Sequence, residues 1–126
     1  MAKSRILIVD DEENIRTALE RWFETIGYDV TVAGDGQEAI DLCQENTFDV
    51  ITMDLEMPRV SGLEAIVAIK AIHPDLPIIV LTGFFNKSDE ALTSGATKIL
   101  VKPVSLRDLQ EEVQKLVPVS ETPATE

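Results

Sequence analysis

The chain has 126 residues, 44% of them hydrophobic and 27% charged, which suits one soluble globular domain whose core needs neither disulfides nor a structural metal. Its 23 acids against 11 Lys and Arg leave a formal net charge of -12, which excludes a broad nucleic-acid or anionic-membrane surface on this domain and leaves cations and basic partners open. A lone Cys43 and a lone His73 exclude an internal disulfide and a zinc-type cluster, and no apolar run is long enough for a secretory signal or a membrane span, so a cytoplasmic protein is expected.

The first expected strand, Arg5 to Val9, opens the stretch "RILIVDDEEN", which sets four consecutive acids directly behind a branched apolar run. Two carboxylates about 4 Å apart repel by roughly 4 kcal/mol at an effective dielectric near 20, so Asp10 and Asp11 need either open water or a cation. Glu12 and Glu13 read as a solvated helix start favoured by the dipole of its first turn. Ile15, Ala18, Leu19, Trp22, Phe23 and Ile26 then form one helical stripe that Gly27 can end, with Trp22 and Phe23 expected in the core.

A second strand is expected over Asp29 to Ala33, followed by a helix in "GDGQEAIDLCQEN" with Asp35 as its N-cap, Glu38 three residues on, and Cys43 buried. The third strand, Asp49 to Met53, leads to Asp54 and the loop "DLEMPRVSG", where Pro58 and Gly62 keep the carboxylate accessible. A third helix starts at Ser61 and stops before Pro74, and His73 at its end is expected to face a helix C-terminal dipole. The fourth strand, Ile78 to Leu81, precedes Thr82 and Gly83. Phe84 and Phe85 cannot both face one core, which leaves at least one as a candidate partner contact.

"NKSDEALTSG" gives a short, weakly patterned fourth helix, Lys98 to Val101 a fifth strand, and "SLRDLQEEVQKL" a fifth helix capped by Ser105. Residues 118–126 are polar and Pro-interrupted, a tail or the start of a linker after a domain of residues 4–117. Strands that lack polar alternation and alternate with helices predict an α/β, doubly wound, five-stranded parallel sheet. Ligands of such sheets sit beyond the carboxyl ends of the strands. Asp10, Asp11, Asp54, Thr82 and Lys102 all project from that rim.

Three carboxylates at one edge suit a hard divalent cation, and an open all-oxygen site suits Mg2+. With a cation and the Lys102 ammonium neutralising phosphoryl oxygens, a carboxylate can act as a nucleophile toward phosphorus, and Asp54 is the candidate. Thr82 adds a hydroxyl for a phosphoryl oxygen, and Gly83 leaves backbone room. Taken alone, Asp10 and Asp11 read equally well as a solvated helix cap; their company on the rim favours a site.

"ILIVDDEE", "DVITMDLEMPRVSG", "PIIVLTG" and "GATKILVKPV", in this order and spacing, resemble the receiver domain of two-component response regulators, the chemotaxis-type fold. The resemblance covers about Ser4 to Val117 and implies a flavodoxin-like (βα)5 sheet of strand order 2-1-3-4-5. It implies that Asp54 accepts phosphate from a sensor histidine kinase or phosphotransfer protein, that Asp10 and Asp11 hold Mg2+ together with Asp54, and that Glu56 adds its backbone carbonyl. It further implies that Thr82 is the switch hydroxyl and Lys102 the phosphate-binding lysine, followed by a cis bond to Pro103. The domain would catalyse its own phosphorylation and dephosphorylation and signal through the fourth helix, fifth strand and fifth helix to an effector domain or downstream protein.

Two positions depart from the pattern. Ile99 stands where many receivers carry the Tyr or Phe that swings inward on activation, and Val104 replaces a common Phe, so the route from site to output is expected to differ. The Glu56 side chain is expected near the attacking water, altering hydrolysis of the phosphoaspartate. A phosphatase of the aspartyl-phosphate type would require Asp-x-Asp at the first strand, where this chain has Asp10-Asp11-Glu12. A flavodoxin would require a phosphate cradle that "DDEEN" opposes. A degenerate docking receiver would lack one of the five site residues, and none is missing.

Overall fold

Branched apolar residues in short runs, separated by capped helices, produce strict β/α alternation. The computed structural model describes residues 3–57, 61–83 and 88–119. In chain order the elements are β1 (Arg5–Val9), α1 (Glu13–Ile26), β2 (Asp29–Ala33), α2 (Gly36–Glu45), β3 (Val50–Asp54), α3 (Gly62–Ile72), β4 (Ile78–Thr82), α4 (Ser88–Ser94), β5 (Lys98–Val101) and α5 (Leu106–Leu116). The strands form one parallel sheet in the order β2-β1-β3-β4-β5.

Alternation along the strands divides the core in two. Leu7, Val9, Ile51, Met53, Ile78 and Val80 face one helical layer, with Ala39 and Cys43 of α2, Ile66 and Ile69 of α3 and Ala91 of α4. Ile6, Ile8, Val50, Ile79 and Leu81 face the other, with Leu19 and Phe23 of α1 and Leu109 and Val113 of α5. Covering both faces removes any need for polar alternation, and β3 and β4 are buried at every residue.

The helix starts follow their expected chemistry. Asp35 accepts the Glu38 N–H at 2.8 Å, Ser105 accepts that of Asp108 at 3.0 Å, and Ser61 with Glu64 forms a reciprocal capping box. Gly27 ends α1 at φ 127°, a conformation that side chains rarely adopt.

One expectation is corrected, and another is met at a neighbouring helix. Trp22 is not core: it is 36% exposed, and its indole N–H donates to Gln110 of α5 at 3.1 Å. The apolar stripe of α1 is wider than the sheet can cover, so Phe23 takes the buried side while Trp22 and Ile15 fall on its solvent margin. His73 Nε2 donates at 2.7 Å to the carbonyl of Cys43, in the last turn of α2, so it serves the C-terminus of a neighbouring helix and not its own. Pro58, Phe84, Phe85 and residues 120–126 lie outside the described residues.

Candidate functional site

The rim is built by strand ends. Asp54 is the last residue of β3, in register with Leu81, and Thr82 is the last of β4, in register with Val101. Both were expected just beyond their strands. Being strand residues, they have backbones held by ladder hydrogen bonds, which continue past the strands as Leu55 N–H to Leu81 O at 3.0 Å and Lys102 N–H to Thr82 O at 2.7 Å. The second bond fixes Lys102 beside Thr82, and the Lys102–Pro103 peptide bond is cis.

Asp10 follows β1 and folds back on the chain. Its Oδ1 accepts the Glu12 N–H at 2.9 Å, and its carbonyl accepts from Arg16 Nη1 at 2.8 Å, so the start of α1 and the carboxylate are positioned together. Sequence reasoning passed over Arg16, whose long side chain reaches back from within the helix.

Asp10 and Asp54 are each only 2% exposed, whereas Asp11 is open to solvent. One carboxylate oxygen from each of the three lies within 4.8 Å of the others. Lys102 Nζ donates to Asp54 Oδ1 at 3.0 Å, and the Glu56 N–H donates to the same oxygen at 3.0 Å. No buried side-chain oxygen among the described residues lacks a partner, so Asp54 Oδ2, which neither donor reaches, borders solvent. The donor set is all oxygen and acidic, and it opens to solvent at Asp11, which fits a divalent cation with several retained waters.

The electrostatics favour a cation in that space. Burial raises the Asp10 pKa to about 6, against the Glu12 N–H that stabilises its charge and with the Asp54 charge adding to the rise. Burial also raises the pKa of Asp54, although Lys102 and the Glu56 N–H oppose it. For Lys102, burial disfavours the ammonium, yet the hydrogen bond and charge of Asp54, with Glu56 and Asp10, outweigh it and push the pKa up. Desolvation and ion pairing thus oppose each other at Asp54, and desolvation prevails because the carboxyl is almost wholly enclosed.

Glu56 carries the feature that the sequence did not disclose. Its Oε2 accepts the Thr82 hydroxyl at 2.6 Å, its Oε1 accepts the Gly83 N–H at 2.9 Å, and Lys102 Nζ stands 3.8 Å from Oε1. Gly62, expected only as a loop signal, is a close-approach position: a Cβ there would lie 2.8 Å from Leu55 Cα and 2.9 Å from the Asp54 carbonyl.

The response regulator receiver domain model matches residues 6–114. The chain belongs to the response regulator receiver domain family. Among curated relatives of this receiver, the response regulator MprA of Mycobacterium sp. (strain KMS) is 39% identical over 115 residues, which are 90% of this chain and 50% of that protein. The receiver therefore spans about half the length of the curated relatives it matches.

Solved structures agree with the topology. The chemotaxis protein CheY4 of Vibrio cholerae superposes with a TM-score of 0.86 at 34% identity, covering 92% of this chain and 100% of that one. The response regulator TrrA of Thermotoga maritima, determined in complex with Mg2+ and BeF, gives 0.83 at 35% identity, covering 90% and 99%. The expected receiver family and its 2-1-3-4-5 sheet are both found in this chain. Among the described residues, no helix is long and apolar enough to cross a membrane.

Proposed function

We propose that residues 4–117 form a phosphorylation-controlled switch in which Asp54 accepts a phosphoryl group from a sensor histidine kinase or phosphotransfer protein. The observation that carries this reading is Asp54 itself: Oδ1 is held by Lys102 and the Glu56 N–H, and one of its oxygens lies within 4.8 Å of carboxylate oxygens of Asp10 and Asp11. An Asp54 oxygen attacks phosphorus, a P–O bond forms, the P–N bond to the donor imidazole breaks, and the released nitrogen regains a proton.

Asp10, Asp11 and Asp54, with the Glu56 backbone carbonyl, would hold Mg2+. When bound, that ion offsets the charge of the carboxylates and of the incoming phosphoryl oxygens. Lys102 holds one phosphoryl oxygen and the Thr82 hydroxyl another. The wholly buried Thr82 couples that contact to β4. The chain thereby assists its own phosphorylation and hydrolysis without turning over a free substrate. Output runs through the face of α4, β5 and α5 to an effector domain or downstream protein in the cytoplasm, with residues 118–126 as tail or linker.

Intact-mass measurement after incubation with phosphoramidate tests the reading. One added phosphoryl group is expected, dependent on divalent cation and absent in Asp54→Ala. A gain that survives Asp54→Ala, or that needs no cation, overturns it.

A further inference from the structure

Thr82 Oγ1, the Gly83 N–H and Lys102 Nζ converge on one volume beside Asp54, and that volume already holds an anion. The Glu56 carboxylate takes two hydrogen bonds there, from Thr82 at 2.6 Å and Gly83 at 2.9 Å, and lies 3.8 Å from the ammonium. A phosphoryl group on Asp54 needs the same donors for its oxygens. We propose that the Glu56 side chain is a resident occupant of the phosphoryl seat and must withdraw before Thr82, Gly83 and Lys102 can hold a phosphoryl group. This deepens the receiver reading and rests on it.

Three physical facts support displacement over sharing. The Glu56 carboxylate and a phosphoryl group on Asp54 would crowd two anionic groups against the Lys102 ammonium, and like charges at hydrogen-bonding distance repel strongly in a partly desolvated site. The Glu56 side chain is 24% exposed, so it can rotate into water and regain its hydration. Its own backbone need not move, because the Glu56 N–H stays on Asp54 Oδ1.

Activation at this site is then an exchange of anions. In the resting chain Thr82 already donates toward the rim, to Glu56. Phosphorylation replaces the Glu56 carboxylate with a group tethered to β3, so Thr82 and Gly83 exchange partners while the Glu56 N–H stays on Asp54. The Glu56 side chain acts in this scheme through Thr82 and Gly83 and touches no reacting atom. Its presence lowers the affinity of the seat for phosphoryl-like anions, whereas a residue that merely supported the site would raise it.

Beryllofluoride titration at saturating Mg2+, read by fluorine NMR, distinguishes these cases in the full chain, Glu56→Gln and Glu56→Ala. Both variants should bind at least about fivefold more tightly, as expected when charge-assisted hydrogen bonds no longer have to be broken. In the parent chain the Glu56 carboxyl carbon should shift to a solvated position as beryllofluoride binds, together with the Gly83 amide. Equal or weaker binding by both variants, or an unshifted Glu56 carboxyl, overturns the proposal while the parent's own binding leaves the receiver reading intact. Absence of beryllofluoride binding in all three chains, with no phosphoryl gain at Asp54, removes the receiver reading and this proposal with it.

Discussion

Lys102 Nζ lies 3.0 Å from Asp54 Oδ1, although β4 stands between the strands that carry them. The lysine reaches across the intervening strand end to place its charge beside the carboxylates, where it would compete with a bound cation and attract a phosphoryl oxygen. Lys102→Ala should therefore separate two properties. Mg2+ affinity should rise several-fold, because a competing cation leaves the carboxylates, while beryllofluoride affinity should fall about tenfold or more with the loss of a charge-assisted bond. Calorimetric titrations of both ligands measure the split.

Metal-free, the three clustered carboxylates repel. Asp54→Asn should raise the melting temperature in chelator and abolish most of the stabilisation conferred by Mg2+. A ligand at 100 times its dissociation constant contributes about 2.7 kcal/mol, which a thermal melt resolves readily. Equal Mg2+ responses in the two proteins would place the metal elsewhere.

The raised pKa of Asp10 sets a pH window. Its folded value of about 6 exceeds the ordinary 3.8, so the folded state holds the proton more tightly than the unfolded chain does. The metal-free protein should thus be destabilised as pH rises from near 4 through 6, by at most ~3 kcal/mol from this group. Mg2+ affinity should move oppositely, increasing over the same interval as the proton leaves. Melts in chelator and Mg2+ titrations at pH 5, 6 and 7.5 read the two slopes.

Gly62→Ala should cost about 1–3 kcal/mol and loosen the acceptor loop, because a Cβ has only 2.8 Å to Leu55 Cα and 2.9 Å to the Asp54 carbonyl. Chemical denaturation gives the stability change, and the phosphoramidate mass gain should slow in parallel. An unaltered midpoint would show that the β3–α3 loop shifts freely.

Ile99 packs at the α2, α3 and α4 side of the sheet, the face to which alternation from Val80 also assigns Thr82. Its β-branched side chain has restricted torsion and carries no ring to sweep from solvent. Distal amide shifts on beryllofluoride binding should concentrate between Gly83 and Gly95, where α4 is only seven residues long. Changes centred on Ile99 with that segment silent would contradict this route.

Local chemistry made much of the chain legible. Branched runs specified all five strands, Asp35, Ser61 and Ser105 specified helix starts, and the alternation of the two element types implied a parallel sheet whose carboxyl ends gather Asp10, Asp11, Asp54, Thr82 and Lys102. These signals are readable because each depends on neighbours within a few residues or on a connection rule. What the tertiary structure decided depends on distances between segments far apart in the chain. Trp22 and Phe23 are adjacent in one apolar stripe, and only the packing of α1 on the sheet and α5 buries one and leaves the other partly exposed. His73 serves α2 because α2 and α3 end side by side. Glu56 is one acid among 23 in the sequence; its hold on Thr82 and Gly83 exists only because β3 and β4 are paired with their carboxyl ends within one residue of each other, bringing residues 26 and 27 positions apart within hydrogen-bonding reach.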